Sequence, residues 1–304
     1  LHPVAHSFPT RRSSDLPAAR LLAEVRARLA EAGVASPEAE AWAMLEQATG
    51  RTRLELLSEP DLTLGRPIRA LLVDWIHGRA QGTPLQHLLG VAPFWGLDLE
   101  AGPDALVPRP ETERLVDLLL SGLAGRTAPT VLDLGTGSGA IAIAVQRERP
   151  DAEVWASEVD PNAAGLARRN LARFAPAVRL VQADLFRDAT LQGLLPRLDA
   201  LVANLPYLPD ADAAALPPEV RRDPPRALFA GRDGLALLRR AWSEAEGTLA
   251  PGADAWFELD PRNVESAAAW IRGREGAGGR PVEVHDDLTG RPRFVQVGPR
   301  GAAR

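Results

Sequence analysis

Among its 304 residues the chain has neither cysteine nor lysine. The first absence removes disulfides, thiolate metal sites and thiol nucleophiles, and with them any reading of redox compartment from cysteine usage. The second removes Schiff-base chemistry and a lysine general base. Positive charge is not in excess either. The 35 basic and 40 acidic side chains leave a formal charge of −5, whereas broad contact with a phosphate backbone calls for a basic footprint. No apolar run approaches the roughly 18 residues of a membrane-spanning helix, so the chain is read as soluble and cytoplasmic, with no membrane partner. What is present is ordinary for a globular protein: 45% hydrophobic residues and a length sufficient for two modest domains with buried cores.

The opening stretch stands apart. His6 to Leu16 reads like the translation of a common sequencing-library adapter and lacks the apolar centre of a signal peptide. Residues 1–16 are therefore expected to be an assembly artefact without function. From Leu21 to about Leu89 the apolar spacing is helical. Leu21, Leu22, Val25 and Leu29 make one stripe ending near Gly33. Ser36-Pro37 marks a second start, with the hydroxyl capping and the proline in the first turn, and Ala41, Leu45 and Ala48 lead to a stop at Gly50. Pro67 opens a third helix through Leu71, Leu72, Trp75 and Ile76. A small bundle over 17–90 is predicted. Glycines and prolines then punctuate short apolar stretches, predicting a linker with a hairpin over 91–110. Pro110 starts a helix with Glu111 and Glu113 in its first turn and Leu115, Val116 and Leu119 on one face.

From Thr130 strands and helices alternate. Strands are predicted at 130–134, 153–159, 178–183, 198–203 and 254–259, helices at 139–147, 161–174, 234–249 and 261–272, and an antiparallel pair at 281–285 and 293–297. Residues 111–304 thus read as an α/β domain, a mainly parallel sheet with helices on both faces and an antiparallel C-terminal hairpin. This Rossmann-like arrangement is expected of a class I methyltransferase rather than of a dinucleotide dehydrogenase, which would also need a hydride-transfer partner that the sequence does not offer.

Three successive strand ends carry candidate cofactor ligands. Asp133-Leu134 runs into Gly135-Thr136-Gly137-Ser138-Gly139, a turn able to lay backbone N–H groups against a bound molecule. Alone it is a weak signal, since glycine also serves tight turns and close packing. Glu158 ends the next strand, where a carboxylate accepts hydrogen bonds from both hydroxyls of a ribose. Asp184 ends the third beside Leu185 and Phe186, a carboxylate with apolar walls suited to the edge and faces of an adenine. Singly, these acids are a solvated strand end and a helix cap; in succession they are hard to ascribe to coincidence.

The fourth strand runs into Asn204-Leu205-Pro206-Tyr207. An amide or aromatic amino nitrogen is a poor nucleophile because its lone pair is delocalised. With the Asn204 side-chain oxygen and the Leu205 carbonyl each accepting one N–H, and Tyr207 as a wall, such a nitrogen is fixed and enriched in electron density. Orientation and electrostatics then do most of the catalysis, without a strong base. The bland alternative is a strand-to-loop turn, in which asparagine and proline are common.

This tetrapeptide resembles the Asn-Pro-Pro-Tyr signature of methyltransferases acting on planar nitrogens. With Thr83-Pro84-Leu85-Gln86, Leu89-Gly90, Phe94-Trp95-Gly96, Leu106-Val107-Pro108-Arg109-Pro110-Glu111-Thr112-Glu113 and the closing Asp287-Leu288-Thr289-Gly290 with Arg293, the chain after its leader resembles the HemK/PrmC family. These are S-adenosylmethionine-dependent N5-glutamine methyltransferases acting on bacterial peptide chain release factors. The resemblance implies Gly135, Thr136, Gly137, Ser138 and Gly139 around the methionine part of S-adenosylmethionine, Glu158 at its ribose, Asp184 and Leu185 near its adenine, and Asn204, Leu205, Pro206 and Tyr207 receiving the glutamine, with Asn204 also against the cofactor. It implies a release factor as protein substrate, recognised by the helical bundle, with no metal and no nucleic acid. Four positions depart from the family pattern. Leu205 replaces a proline, an expected loosening of about 0.4 to 1 kcal/mol. Glu158 stands for an aspartate, Asp260 for a glycine, and Asp223-Pro224-Pro225-Arg226 varies a Glu-Pro form in a loop expected to overhang the substrate. An adenine-N6 DNA methyltransferase, a catalytically silent release-factor-binding module and an oxidoreductase remain as alternatives.

Overall fold

The structure, a computed structural model, describes residues 16–59, 61–274 and 279–301. It divides into two compact units, one ending at Leu89 and one beginning at Gly90. The expected leader lies outside the described residues except for Leu16. That residue pairs with Leu64 where β1 (Leu16–Pro17) meets β2 (Thr63–Leu64), so it belongs with the folded unit.

In the first unit α1 (Ala18–Glu31), α2 (Pro37–Thr49), α3 (Arg53–Ser58), α4 (Arg66–Ala80) and α5 (Leu85–Leu89) follow one another. The stripe Leu21, Val25 and Leu29 is buried with Met44, Leu45, Leu72 and Trp75 in one core. Gly50 ends α2 at φ 66°, the left-handed conformation that glycine adopts without a Cβ penalty. Ser36, however, makes no capping hydrogen bond. At φ −127° and ψ 61° it lies outside the extended geometry that aims a cap hydroxyl at the first turn. Two short helices were not anticipated. In α3, Thr52 N donates to Glu55 Oε2 at 2.7 Å and Glu55 N to Thr52 Oγ1 at 3.3 Å, a reciprocal cap. In α5, within the span expected to be the bundle, Leu85, Leu88 and Leu89 pack on the helical core.

The second unit opens with the hairpin β3 (Val91–Phe94) and β4 (Leu97–Glu100). Its two turn residues, Trp95 and Gly96, have φ 51° and 69°, which matches the twist of a two-residue hairpin. Next comes α6 (Pro110–Gly122), whose Glu113 Oε1 accepts from Trp95 N at 2.7 Å. Among the described residues seven strands form the sheet: β5 (Thr130–Leu134), β6 (Glu153–Glu158), β7 (Arg179–Gln182), β8 (Ala200–Ala203), β9 (Asp254–Glu258), β10 (Val282–Asp286) and β11 (Pro292–Val297). Their order is β10-β11-β9-β8-β5-β6-β7, parallel except for the pairings of β11.

Alternate strand residues feed two cores. Val131, Val154, Ala156 and Val202 pack with α6, α7 (Ala140–Glu148) and α8 (Pro161–Phe174); Leu132, Trp155, Leu201 and Ala203 pack with α9 (Ala189–Leu194), α10 (Ala236–Ala245) and α11 (Val264–Arg272). This is the class I methyltransferase sheet. Strand order reverses between β5 and β8, which opens a crevice beyond their carboxyl ends. Both the glycine turn and the Asn-Leu-Pro-Tyr segment emerge there. Unforeseen α9 is capped by Asp188, whose Oδ1 accepts from Thr190 N at 2.8 Å and Leu191 N at 3.3 Å. The helix expected from Pro261 begins only at Val264, because Asp260 Oδ1 accepts from Arg262 N at 2.9 Å and holds a turn first.

Candidate active site

Asp133 at the end of β5 anchors the glycine turn. Its Oδ2 accepts from Thr136 Oγ1 at 2.5 Å and Ala142 N at 3.1 Å, and burial pushes its carboxyl up to about 7 against those two hydrogen bonds. The first two N–H groups of the turn do not face a ligand. Gly135 N and Thr136 N both donate to Ser157 O, at 2.9 and 2.8 Å, tying the turn to β6 instead. Gly135 and Gly137 line a bay with Glu158, Asp184, Leu185, Asn204, Leu205 and Pro206. Thr136 and Ser138 line an adjoining recess with Phe94 and Ile141. Gly139 lies on neither wall: at φ +88° it starts α7 and faces Ile143 and Leu171.

Glu158 reaches the bay as expected, but with its carboxylate largely engaged. Oε1 accepts from Val159 N at 2.8 Å and Asp160 N at 2.9 Å, and Oε2 from Gly137 N at 3.0 Å. Of a carboxylate's roughly four acceptor positions three are filled by backbone N–H groups, and one remains open. Asp184 is likewise spoken for. Its Oδ2 meets Arg240 Nη2 at 2.8 Å and Arg187 Nη1 at 3.4 Å, and the Arg240 hydrogen bond holds its carboxyl below the usual carboxylate range. Leu185 keeps its apolar wall through a left-handed backbone, φ 50°, a strain of order 1 kcal/mol or more for a non-glycine residue. Phe186 is buried in the hydrophobic core and does not line the bay.

The tetrapeptide is pinned at both ends. Asn204 Nδ2 donates to Thr112 Oγ1 at 3.1 Å, while its buried Oδ1 has no hydrogen-bond partner among the described residues. The Leu205 side chain is buried, with its Cδ2 only 2.7 Å from where a Cβ on Gly135 would stand. This packing restrains the loop that loss of the family proline was expected to loosen. Asn263 Nδ2 donates to Tyr207 O at 2.9 Å, and Leu208 N to Leu228 O at 2.9 Å. Burial pushes the Tyr207 phenol upward, so it stays protonated.

Beyond Asn204 lies a cavity of about 500 Å³ whose lining includes Arg109, Tyr207, Val220, Glu258 and Arg293. Asn204 is common to the bay, the recess and this cavity. The loop expected to overhang the substrate contributes Val220, while its Asp223 is buried and accepts from Arg109 Nη2 at 2.5 Å. Burial raises Asp223 to about 6 despite Arg109.

Glu258 was missed as a site residue. At the end of β9, 2% exposed, it has no hydrogen-bond partner among the described residues on either carboxylate oxygen. Burial pushes the carboxyl up to about 7, outweighing the lowering influence of the Thr112 side chain, Arg293 and the Asn204 side chain. Its position at the carboxyl end of a parallel strand was the available signal.

Comparison with known proteins joins these observations. A profile described as the PrmC N-terminal domain matches residues 20–90, and one described as a methyltransferase small domain matches residues 113–216. A release factor glutamine methyltransferase of Deinococcus radiodurans is 43% identical over 277 residues, covering 91% of this chain and 96% of the relative. One of Corynebacterium glutamicum is 36% identical over 275 residues, covering 90% and 96%. The chain belongs to the release factor glutamine methyltransferase family. It is a methyltransferase, and the HemK/PrmC resemblance read from its motifs holds. The hMettl16 catalytic domain, solved in complex with a MAT2A 3'UTR hairpin, shares the fold of this family member: TM-score 0.53 and 14% identity, covering 80% of this chain and 87% of that one. Among the described residues no helix is long and apolar enough to cross a membrane.

Proposed function

We propose that the chain transfers a methyl group to the side-chain amide nitrogen, N5, of a glutamine in a bacterial peptide chain release factor, with S-adenosylmethionine as donor. The observation that carries this reading is the buried, unpartnered Oδ1 of Asn204 where the bay meets the larger cavity. A primary carboxamide supplies what that oxygen lacks, an N–H donor in a plane. Leaving such a group unpaired costs about 1 to 3 kcal/mol, a cost that the matching substrate removes.

The bay fits the donor. Gly137 leaves open space where a Cβ would intrude, Leu185 presents an apolar face for adenine, and Glu158 retains one acceptor position for a ribose hydroxyl. Thr136 and Ser138 bound the recess for the methionine portion. Bound there, S-adenosylmethionine supplies a methyl group on a positively charged sulfur, an electrophile with an excellent leaving group. Asn204 Oδ1 and the Leu205 carbonyl each take one N–H of the glutamine, Pro206 stiffens the loop, and the uncharged Tyr207 phenol walls the carboxamide plane. Thr112, by accepting from Asn204 Nδ2, keeps Oδ1 toward the substrate. The chain thereby fixes the nitrogen and leaves reactivity to orientation and electrostatics.

One glutamine side chain offers little binding area, so choosing it among the glutamines of a cell requires remote contacts. Residues 17–90 supply them, in the cytoplasm where release factors act. Adenine in DNA is a similar flat amino group, but the formal charge of −5 and the names of the relatives favour glutamine. The test is mass spectrometry of a bacterial release factor incubated with the protein and isotopically labelled S-adenosylmethionine. One labelled methyl on a single glutamine is expected; an unmodified release factor beside methylated duplex DNA contradicts the reading.

A further inference from the structure

Methylation of a carboxamide nitrogen leaves that nitrogen one proton in excess. As its bond to carbon forms, the carbon–sulfur electron pair departs with sulfur, and the nitrogen carries a new methyl, two hydrogens and a positive charge. Neutrality returns when one N–H electron pair stays on nitrogen and its proton passes to a base. Asn204 Oδ1 and the Leu205 carbonyl are amide oxygens, able to accept hydrogen bonds but too weakly basic to keep a proton.

Seven other charged or titratable groups line this cavity, and none serves as that base; Arg262 and Arg291 are cations, and the remaining five fail for separate reasons. Tyr207 is a phenol held protonated by burial. Asp260 is tied to Arg262 at 2.8 Å. Arg109 and Arg293 are cations, paired with Asp223 at 2.5 Å and Asp287 at 3.0 Å. Glu111 is partly open to water at the start of α6. Glu258 differs from all of these. It is buried, it lines the same cavity as Asn204, and both of its oxygens lack a partner among the described residues.

Resting on the glutamine reading above, we propose that Glu258 is the base that takes the proton from the newly methylated amide nitrogen. Three acceptor oxygens, Asn204 Oδ1 and Glu258 Oε1 and Oε2, stand unpaired around one cavity. As methylation turns the nitrogen tetrahedral, one of its two N–H groups leaves its amide acceptor for Glu258, a contact that becomes more favourable as the nitrogen gains positive charge. Burial gives the carboxylate a basicity suited to neutral pH: it is raised to about 7, with Glu111 adding to the rise and Thr112, Arg293 and Asn204 opposing it. From Glu258 the proton leaves to solvent as the product glutamine withdraws. The working form is the carboxylate, so turnover rises with pH through the neutral range.

The test uses the full chain with intact release factor. Glu258→Gln keeps the shape and removes a buried charge, so folding is preserved. It is expected to lower the single-turnover methylation rate about 100-fold or more, the range of a lost general base, to abolish the neutral-range pH dependence, and to leave release-factor and S-adenosylmethionine affinities unchanged. Glu258→Asp, a base with shorter reach, is expected to fall between the two and keep the pH dependence. Without cofactor, infrared titration of the wild type should show a protonated carboxyl persisting to neutral pH that Glu258→Gln lacks. A Gln variant with wild-type rate and pH profile, or a wild-type carboxyl that titrates only in the ordinary range, overturns the proposal. A wild type that methylates no release factor overturns the functional reading, and this proposal with it.

Discussion

Gly234 shows how tightly the tetrapeptide is held at the level of single residues. Its φ is +74°, and a Cβ there would fall 2.1 Å from Tyr207 O. Gly234→Ala must therefore displace either its own backbone or the carbonyl following Pro206. It is expected to cost more than about 1 kcal/mol in urea unfolding and to lower turnover more than cofactor affinity; wild-type values for both contradict the packing. Thr112→Val tests the orientation of Asn204 in the same way. It leaves Asn204 Nδ2 without its acceptor, an expected loss of about 1 to 3 kcal/mol with reduced turnover, and Thr112→Ser restores both. Asn204 and Tyr207 were legible because their chemistry is local to four residues. Thr112 and Glu258 were not, since they meet Asn204 across separations of 92 and 54 positions that only the folded sheet brings together.

Among the elements, the long periodic ones were readable. The strand at 130–134 and the helix at 161–174 fall where their apolar spacing placed them. Short elements set by caps were lost: α3 rests on Thr52 and Glu55, α9 on Asp188, and neither carries enough periodicity to register. Another feature invisible to patterning is Arg280, which is buried and ties the ends of several elements together. Its Nη1 donates to Ala253 O at 2.7 Å and Gly298 O at 3.0 Å, and its Nη2 to Leu249 O at 3.2 Å and Ala250 O at 2.6 Å. Arg280→Met leaves these carbonyls in an apolar setting and is expected to cost about 3 kcal/mol or more. An unchanged urea midpoint contradicts that role.

For the whole molecule, burial of carboxyls couples stability to pH. Asp133 and Glu258 are raised to about 7 and Asp223 to about 6, each mainly by burial. Folded, these groups hold protons that the unfolded chain releases, so their stabilising contribution is complete below the ordinary carboxylate range and is lost as pH rises through their folded values. Melting temperature is expected to fall between about pH 5 and about pH 8, with a shallower fall in Glu258→Gln; an equal slope in the variant contradicts the assignment. Deleting residues 17–90 is expected to impair methylation of intact release factor far more than S-adenosylmethionine binding, and equal loss of both would make that unit a folding requirement instead.

The account turns on Asn204 Oδ1 as the acceptor that fixes the substrate nitrogen. Its most direct test pairs single-turnover methylation of a release factor with calorimetric S-adenosylmethionine binding, in wild type and Asn204→Ala. The expected result is a rate lower by about a hundredfold or more with cofactor affinity changed much less. Near-normal methylation by Asn204→Ala would contradict it.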